Sequence, residues 1–268
     1  MIEVRGNLVR KRGTPSLLSI EFVKTQKARV IGDQCGLFYV PRVIDFDERS
    51  GILDLELLPR VRTLHELAVT RDSRIPELMY KAGSALAIVH DHLRLDDEST
   101  HPLPREMMTH DNDCAFIHGD FTGGNIVLDE ESGRLVILDW SVTPLLGRSA
   151  TFGPRYFDLV WFVYYWFLAR PWTCVSRWNS GAMGDEFLRG YCSNSSFSFS
   201  GSAFLQYRKR LEWLWTRDRQ RYVRRRPRYR RIPYRLYHHW LDVRSRGYIP
   251  PKPLDDDRHG AQGVRGDS

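Results

Sequence analysis

Alternating and continuous apolar stretches divide the chain before any chemistry is considered. Residues 43–46 (VIDF) and 52–58 (ILDLELL) flank the Gly-containing turn 47–51 (DERSG), which predicts a β-hairpin ended by Pro59. Leu64-His65-Glu66-Leu67 then opens a helix. A second hairpin follows from the β-branched runs 126–129 (IVLD) and 135–138 (LVIL) around the turn residues 130–133 (EESG). The most apolar segment, Leu159 to Ala169, is eleven residues long. That is well short of the roughly 20 needed to cross a bilayer, so it predicts a buried helix.

The second hairpin joins two polar groups of interest. Residues 118–125 read HGDFTGGN, and Asp139-Trp140 follow the second strand. Closing the hairpin places Asn125 beside Asp139. An amide oxygen and a carboxylate are hard ligands suited to Mg²⁺, which keeps waters and completes its shell with nucleotide phosphates. Asp120 precedes Asn125 with four residues between them, the spacing of the H-R-D-x-x-x-x-N loop of kinases. In that role it accepts or orients the proton of an attacking hydroxyl. Single Asp or Asn residues are ordinary in turns, where they bond their own backbone; the ordered set is what points to phosphoryl transfer. His118 is expected to hold backbone through its ring, and Asp158 to act as a helix N-cap or as a brace for the loop.

The stretch H-G-D-x4-N followed by ILDW resembles the aminoglycoside phosphotransferase and choline kinase-like family, small-molecule relatives of the protein kinases. Residues 85–93 (ALAIVHDHL) resemble the helix before the catalytic loop, 156–159 (YFDL) a helix-opening Asp-Leu, and 187–191 (FLRGY) a late helical element. The resemblance spans about residues 8 to 192. It implies an α+β, protein kinase-like two-lobed fold with a shortened N-terminal β lobe and a mostly helical C-terminal lobe. It also implies ATP and Mg²⁺ as cofactors, and it does not name an acceptor.

By the same resemblance, Leu8-Val9-Arg10-Lys11 is the strand carrying the nucleotide lysine, and alternation puts Val9 and Lys11 on one face. A helix is expected from near Ser19, with Glu21 the candidate to hold Lys11 by an ion pair. Lys24, Lys27, Arg10 and Arg12 crowd this region, and a solvated charged face is an equal reading for each. The backbone at Glu56 and Leu58 is expected to meet the adenine edge. Only seven residues precede Leu8, enough for a strand at Ile2-Glu3-Val4 and a turn at Arg5-Gly6-Asn7 but not for a glycine-rich phosphate lid. A start assigned too late, a minimal lobe relying on Lys11 and Mg²⁺, and a pseudokinase all fit that departure.

Composition adds one asymmetry. With 42% hydrophobic and 12% aromatic residues in 268, the chain can bury a sizeable core. Four cysteines without C-x-x-C spacing are expected to be free thiols, and His90, His92, His101 and His110 to be exposed or helix-end residues rather than zinc ligands. The N-terminus shows no apolar signal segment, so a cytoplasmic location is expected, with peripheral membrane contact as a variant. Between Arg208 and Arg235 stand thirteen Arg or Lys against Glu212 and Asp218, a local balance of 13 minus 2, or +11. The total is +7, so the rest of the chain carries 7 minus 11, or −4. Aromatic residues interleave with these charges, and Pro227 and Pro233 are expected to break any helix between them.

Three readings fit that segment: a terminal helical pair showing arginines to water, contact with an anionic surface or acidic sugar, and nucleic-acid binding, the least favoured. The expected organisation is a nucleotide-side lobe at 1–58, a catalytic helical lobe at 59–247, and a tail at 248–268. The expected activity is ATP-dependent transfer of the γ-phosphoryl group to a hydroxyl of a small molecule, glycan or lipid-linked sugar. A nucleotide-binding pseudokinase scaffold and an RNA-binding protein on a kinase-like frame are the alternatives.

Overall fold

A computed structural model describes residues 1–109, 113–140, 150–174, 178–225 and 227–251. The N-terminal lobe is built from β1 (Ile2–Arg5), β2 (Leu8–Arg12), α1 (Pro15–Cys35), β3 (Val43–Asp47) and β4 (Ile52–Glu56). Its antiparallel sheet has the order β1-β2-β4-β3, with Lys11 opposite Leu53 and Leu8 opposite Glu56. Leu18 from α1 packs with Leu53 and Leu55, and Phe22 stacks on Phe46 at 4.7 Å. The helix begins four residues before Ser19, because Pro15 sits in its first turn, where a fixed φ helps and a missing N–H costs nothing.

The C-terminal lobe follows with β5 (Val61–Thr63), α2 (Leu64–Thr70), α3 (Ile75–His92), β6 (Cys114–Phe116), β7 (Ile126–Asp129), β8 (Leu135–Ile137), β9 (Phe152–Pro154), α4 (Tyr156–Leu168), α5 (Ser180–Asn194), α6 (Gly201–Arg225) and α7 (Arg228–Arg246). A reciprocal Thr63–Glu66 capping box starts α2 where the sequence placed it. The β7–β8 hairpin pairs Ile126 with Ile137 and is extended by β5. Two glycines let α3 and α5 touch backbone to backbone: a Cβ on Gly83 would lie 2.0 Å from the Phe187 carbonyl oxygen, and one on Gly190 2.0 Å from that of Tyr80.

The apolar run 159–169 is the body of α4, wedged among α5, α6 and α7 with Phe157, Phe162, Tyr164 and Trp166 buried. The basic segment forms the expected helical pair, parted at Pro227. Pro233 does not end a helix; it lies inside α7. The N–H that proline lacks would have served the first turn of α7, around Tyr229, which is exposed, so its loss there costs little. Tyr248 is buried and donates to Asp185 Oδ1 at 2.8 Å, so the expected tail starts on a packed core residue. Residues 252–268 of that tail and His110 lie outside the described residues. Cys35, Cys114, Cys174 and Cys192 are free thiols, and among the described residues no helix is long and apolar enough to cross a membrane.

Candidate active site

The loop carrying Asp120 is held from below by one carboxylate. Asp158, fully buried in the first turn of α4, accepts from the backbone N–H of His118 at 2.7 Å and of Gly119 at 2.9 Å. Gly119 has φ +89°, a conformation that a side chain would strain. His90 Nε2 lies 3.1 Å from Asp158, and His90 Nδ1 lies 2.9 Å from the Tyr191 hydroxyl. Burial opposes the Asp158 charge, yet its hydrogen bonds, that of His90 foremost, hold it below the usual carboxylate range. Burial keeps His90 neutral, so Nε2–H donates to Asp158 while Nδ1 accepts from Tyr191. His90 is therefore at a helix end but not exposed: both ring nitrogens are satisfied by residues far away in sequence.

His118 has the expected structural role. Its Nδ1 accepts from the Asp120 N–H at 3.3 Å and its Nε2 donates to the Leu138 carbonyl at 3.1 Å. Burial, aided by the Lys24 charge, pushes its pKa down to about 4. Lys24 is no solvated residue: it is completely buried, and its Nζ donates to the His118 carbonyl at 2.8 Å. Burial brings it down to about 8, while Asp158, Glu21, Asp139 and Asp120 pull in the opposite direction.

Above this support lie the candidate reacting groups. Asp120 Oδ1 accepts from Trp161 Nε1 at 3.2 Å and Oδ2 from Asn125 Nδ2 at 2.9 Å. Burial, then the Asp139 charge, raises the Asp120 pKa to about 6. The Asn125 Nδ2 also donates to the Asp120 carbonyl at 2.9 Å, which turns its Oδ1 away from Asp120. Leu138 N–H donates to the Asn125 carbonyl at 2.8 Å, so the hairpin brings Asn125 next to Asp139 as its length requires. Asp139 leaves β8 with φ +56°, an uncommon conformation for a non-glycine residue. Its Oδ1 accepts from Lys11 Nζ at 2.7 Å, and Lys11 also pairs with Glu21. Burial works against the Lys11 charge, but Glu21 and Asp139 outweigh it and raise its pKa.

Five of the sequence-selected residues are thus brought together: Lys11, Glu21, Asp120, Asn125 and Asp139. Glu56 and Leu58 are not in that cluster. Glu56 pairs with Leu8, three residues along β2 from Lys11, or about 10 Å of strand. Its N–H donates to the Arg42 carbonyl at 2.8 Å, and its carboxylate accepts from the Tyr39 hydroxyl and the Arg42 N–H. The Glu56 amide is therefore already spent within the lobe, leaving its carbonyl and the Leu58 backbone for an adenine edge.

Among the described residues no group of three His, Cys, Asp or Glu is placed to bind a metal. An amide oxygen and a carboxylate alone suit Mg²⁺, whose remaining shell is water and phosphate. The sequence reading missed Lys24, His90, Tyr191 and Trp161. Trp161 stacks on Trp215 of α6 at 5.8 Å and 15°, forming an aromatic wall beside Asp120. Its signal was helical spacing: Trp161 lies three residues after Asp158, on the face that meets the loop.

A model of the phosphotransferase enzyme family matches residues 103–205, the segment holding the Asp120 loop, the hairpin, α4 and α5. A choline/ethanolamine kinase family protein from Mesorhizobium loti superposes with a TM-score of 0.55, covering 91% of this chain and 82% of that chain at 16% identity. Choline kinase from Streptococcus pneumoniae gives 0.53 over 90% and 88% at 15% identity. An amicoumacin kinase solved with AMP-PNP and Ca²⁺ gives 0.55 over 91% and 83% at 12% identity. No curated protein matches the chain. The fold is that of the kinase-like phosphotransferases, as the resemblance in the sequence implied.

Proposed function

We propose that the protein transfers the γ-phosphoryl group of ATP to an alcohol. The observation that carries this reading is the Lys11 ammonium bridging Glu21 and Asp139, next to an Asp120 carboxylate oriented by Trp161 and Asn125. Lys11 steadies the phosphates, and Asn125 and Asp139 hold the divalent cation. When bound, Mg²⁺ neutralises phosphate charge. The acceptor oxygen attacks the γ-phosphorus, the bond to the β–γ bridging oxygen breaks, ADP leaves, and the hydroxyl proton passes to Asp120. The nucleotide analogue and cation held by the amicoumacin kinase support this assignment of cofactors.

The acceptor side supports a narrower reading. Trp161 and Trp215 offer a flat apolar surface beside Asp120, and Arg208, two turns before Trp215 on the same face of α6, lies over the Tyr164 ring that packs against Trp215. A neutral or anionic ring-bearing alcohol, such as a glycan or lipid-linked sugar, fits that wall better than a polycationic aminoglycoside. A screen of γ-phosphoryl transfer over metabolites, glycans and lipids, with Asp120→Asn as blank, is expected to find such an acceptor. Nucleotide binding without transfer to any member would favour the scaffold alternative.

A second observation supports contact with an anionic surface. Tyr229, Ile232, Leu236 and Val243 lie along one face of α7 and are 51–74% exposed, within a helix rich in arginine. An apolar stripe set among cations suits the headgroup boundary of an anionic bilayer. The protein is expected to sediment with phosphatidylglycerol vesicles but not with phosphatidylcholine ones, and Leu236→Asp to abolish sedimentation. Equal partition of wild type and variant would remove α7 from this role.

A further inference from the structure

Beyond the Asp120 cleft, at the far end of α4, Phe167, Arg170, Trp178, Asn179, Ser180, Gly181, Leu241 and Arg244 line a cavity of about 60 Å³. We propose that this cavity is a second binding site, independent of the phosphotransfer reading, that takes a phosphate group, either free phosphate or the phosphate of a monoester. Six residues of helix, about 9 Å of rise, separate Phe167 from Trp161, the residue that touches Asp120.

Three sources of donors, of two kinds, converge there. Arg170 is 7% exposed, and its Nε–H is buried with no hydrogen-bond partner. Such an orphan is costly unless a ligand completes it. Arg244 is the second cation; the two guanidinium groups lie over one ring, Trp240, at 5.2 and 5.1 Å. Among the described residues neither forms an ion pair with a carboxylate, and the charge around Arg170 is repulsive: burial and Arg244 both lower its pKa. The third donor is the start of α5. The Asn179 side chain caps the Ala182 N–H at 3.1 Å, which leaves the earlier amides of Ser180 and Gly181, whose partners a helix cannot supply. Helix N-terminal amides and guanidinium groups are both anion ligands.

Two structural duties for Arg170 do not account for this. It is not needed to cap the end of α4, because the Trp166 carbonyl already accepts from Trp178 Nε1 and Ser180 Oγ at 2.8 Å each, and the Arg170 carbonyl accepts from the Tyr237 hydroxyl at 2.8 Å. Stacking on Trp240 uses the face of the guanidinium, not its N–H groups. The volume is several times what one water needs, and donors arriving from the segment just after α4, from the start of α5 and from α7 suit a tetrahedral oxyanion better than a flat carboxylate.

The test is the melting temperature of the full chain, titrated with inorganic phosphate or with glucose 6-phosphate, each against sodium chloride at equal ionic strength. Wild type is expected to show a saturable rise. Arg244→Gln, at an exposed position that leaves the fold intact, should weaken the apparent affinity at least tenfold, on the order of the loss of one charge-assisted contact. Its nucleotide affinity should be unchanged. Arg170→Gln should act likewise if it folds, and the Arg244 variant decides the matter if it does not. Stronger response to the sugar phosphate identifies a monoester ligand; equal or stronger response to inorganic phosphate identifies the free anion. A rise no larger than that in chloride, or one identical in wild type and Arg244→Gln, overturns the site.

Discussion

Replacing Asp120 by Asn should lower turnover by about 10²- to 10⁴-fold, the usual contribution of a positioned acid–base group, while leaving nucleotide affinity within a few-fold. The substitution keeps the shape of the side chain and one oxygen that can accept from Trp161 or Asn125, but removes the proton acceptor. It should not destabilise the metal-free protein. The Asp120 pKa, at about 6, lies above the ordinary value, so the fold disfavours its charged form. Stability from this group is complete at acid pH and is lost as pH rises through about 6. At pH 7 the variant should therefore melt at or above wild type, with the difference vanishing near pH 4. Steady-state rates and melting curves on the same preparations separate the two effects. Turnover within about threefold of wild type would exclude Asp120 as the group that receives the proton.

The largest loss of stability is expected from Asp158→Ala. This carboxylate alone accepts from the His118 and Gly119 amides and from His90, all inside the protein. Removing it leaves three neutral donors buried without partners, which at roughly 1–3 kcal/mol each costs at least about 3–5 kcal/mol. For a chain of this size that lowers the melting temperature by roughly 6–20 °C. Turnover should fall with it, since the loop holding Asp120 loses its anchor. Asp158→Asn should fall between, because one of its two acceptor oxygens remains. Thermal denaturation of both variants is the measurement. A melting temperature within 2 °C or so of wild type for Asp158→Ala would show that other contacts hold the loop.

Local signals carried much of this arrangement. Two short β-branched runs and a Gly-containing turn were enough to place the β7–β8 hairpin, and its length was enough to set Asn125 against Asp139. The pairing of Lys11 with Glu21 was expected only through the family resemblance, since Lys24, Lys27, Arg10 and Arg12 crowd the same region and local pattern does not choose among them. Lys24 shows where such signals stop. It stands three residues after Glu21, and nothing in its own neighbourhood marks it as buried; the His118 carbonyl that receives it is 94 residues away. His90 is similar, with partners 68 and 101 residues distant.

By itself the sequence determined the elements, their order and the spacing of the phosphotransfer motif, since these follow from backbone periodicity and turn chemistry over a few residues. Only the tertiary structure decided which polar side chains leave water. It buried Lys24, His90 and Asp158 beneath the loop, placed Trp215 beside Trp161, and left the Arg170 Nε–H buried without a partner. Desolvation depends on what packs against a side chain from distant segments, and that is settled when α1, α3, α4 and α5 close on one another.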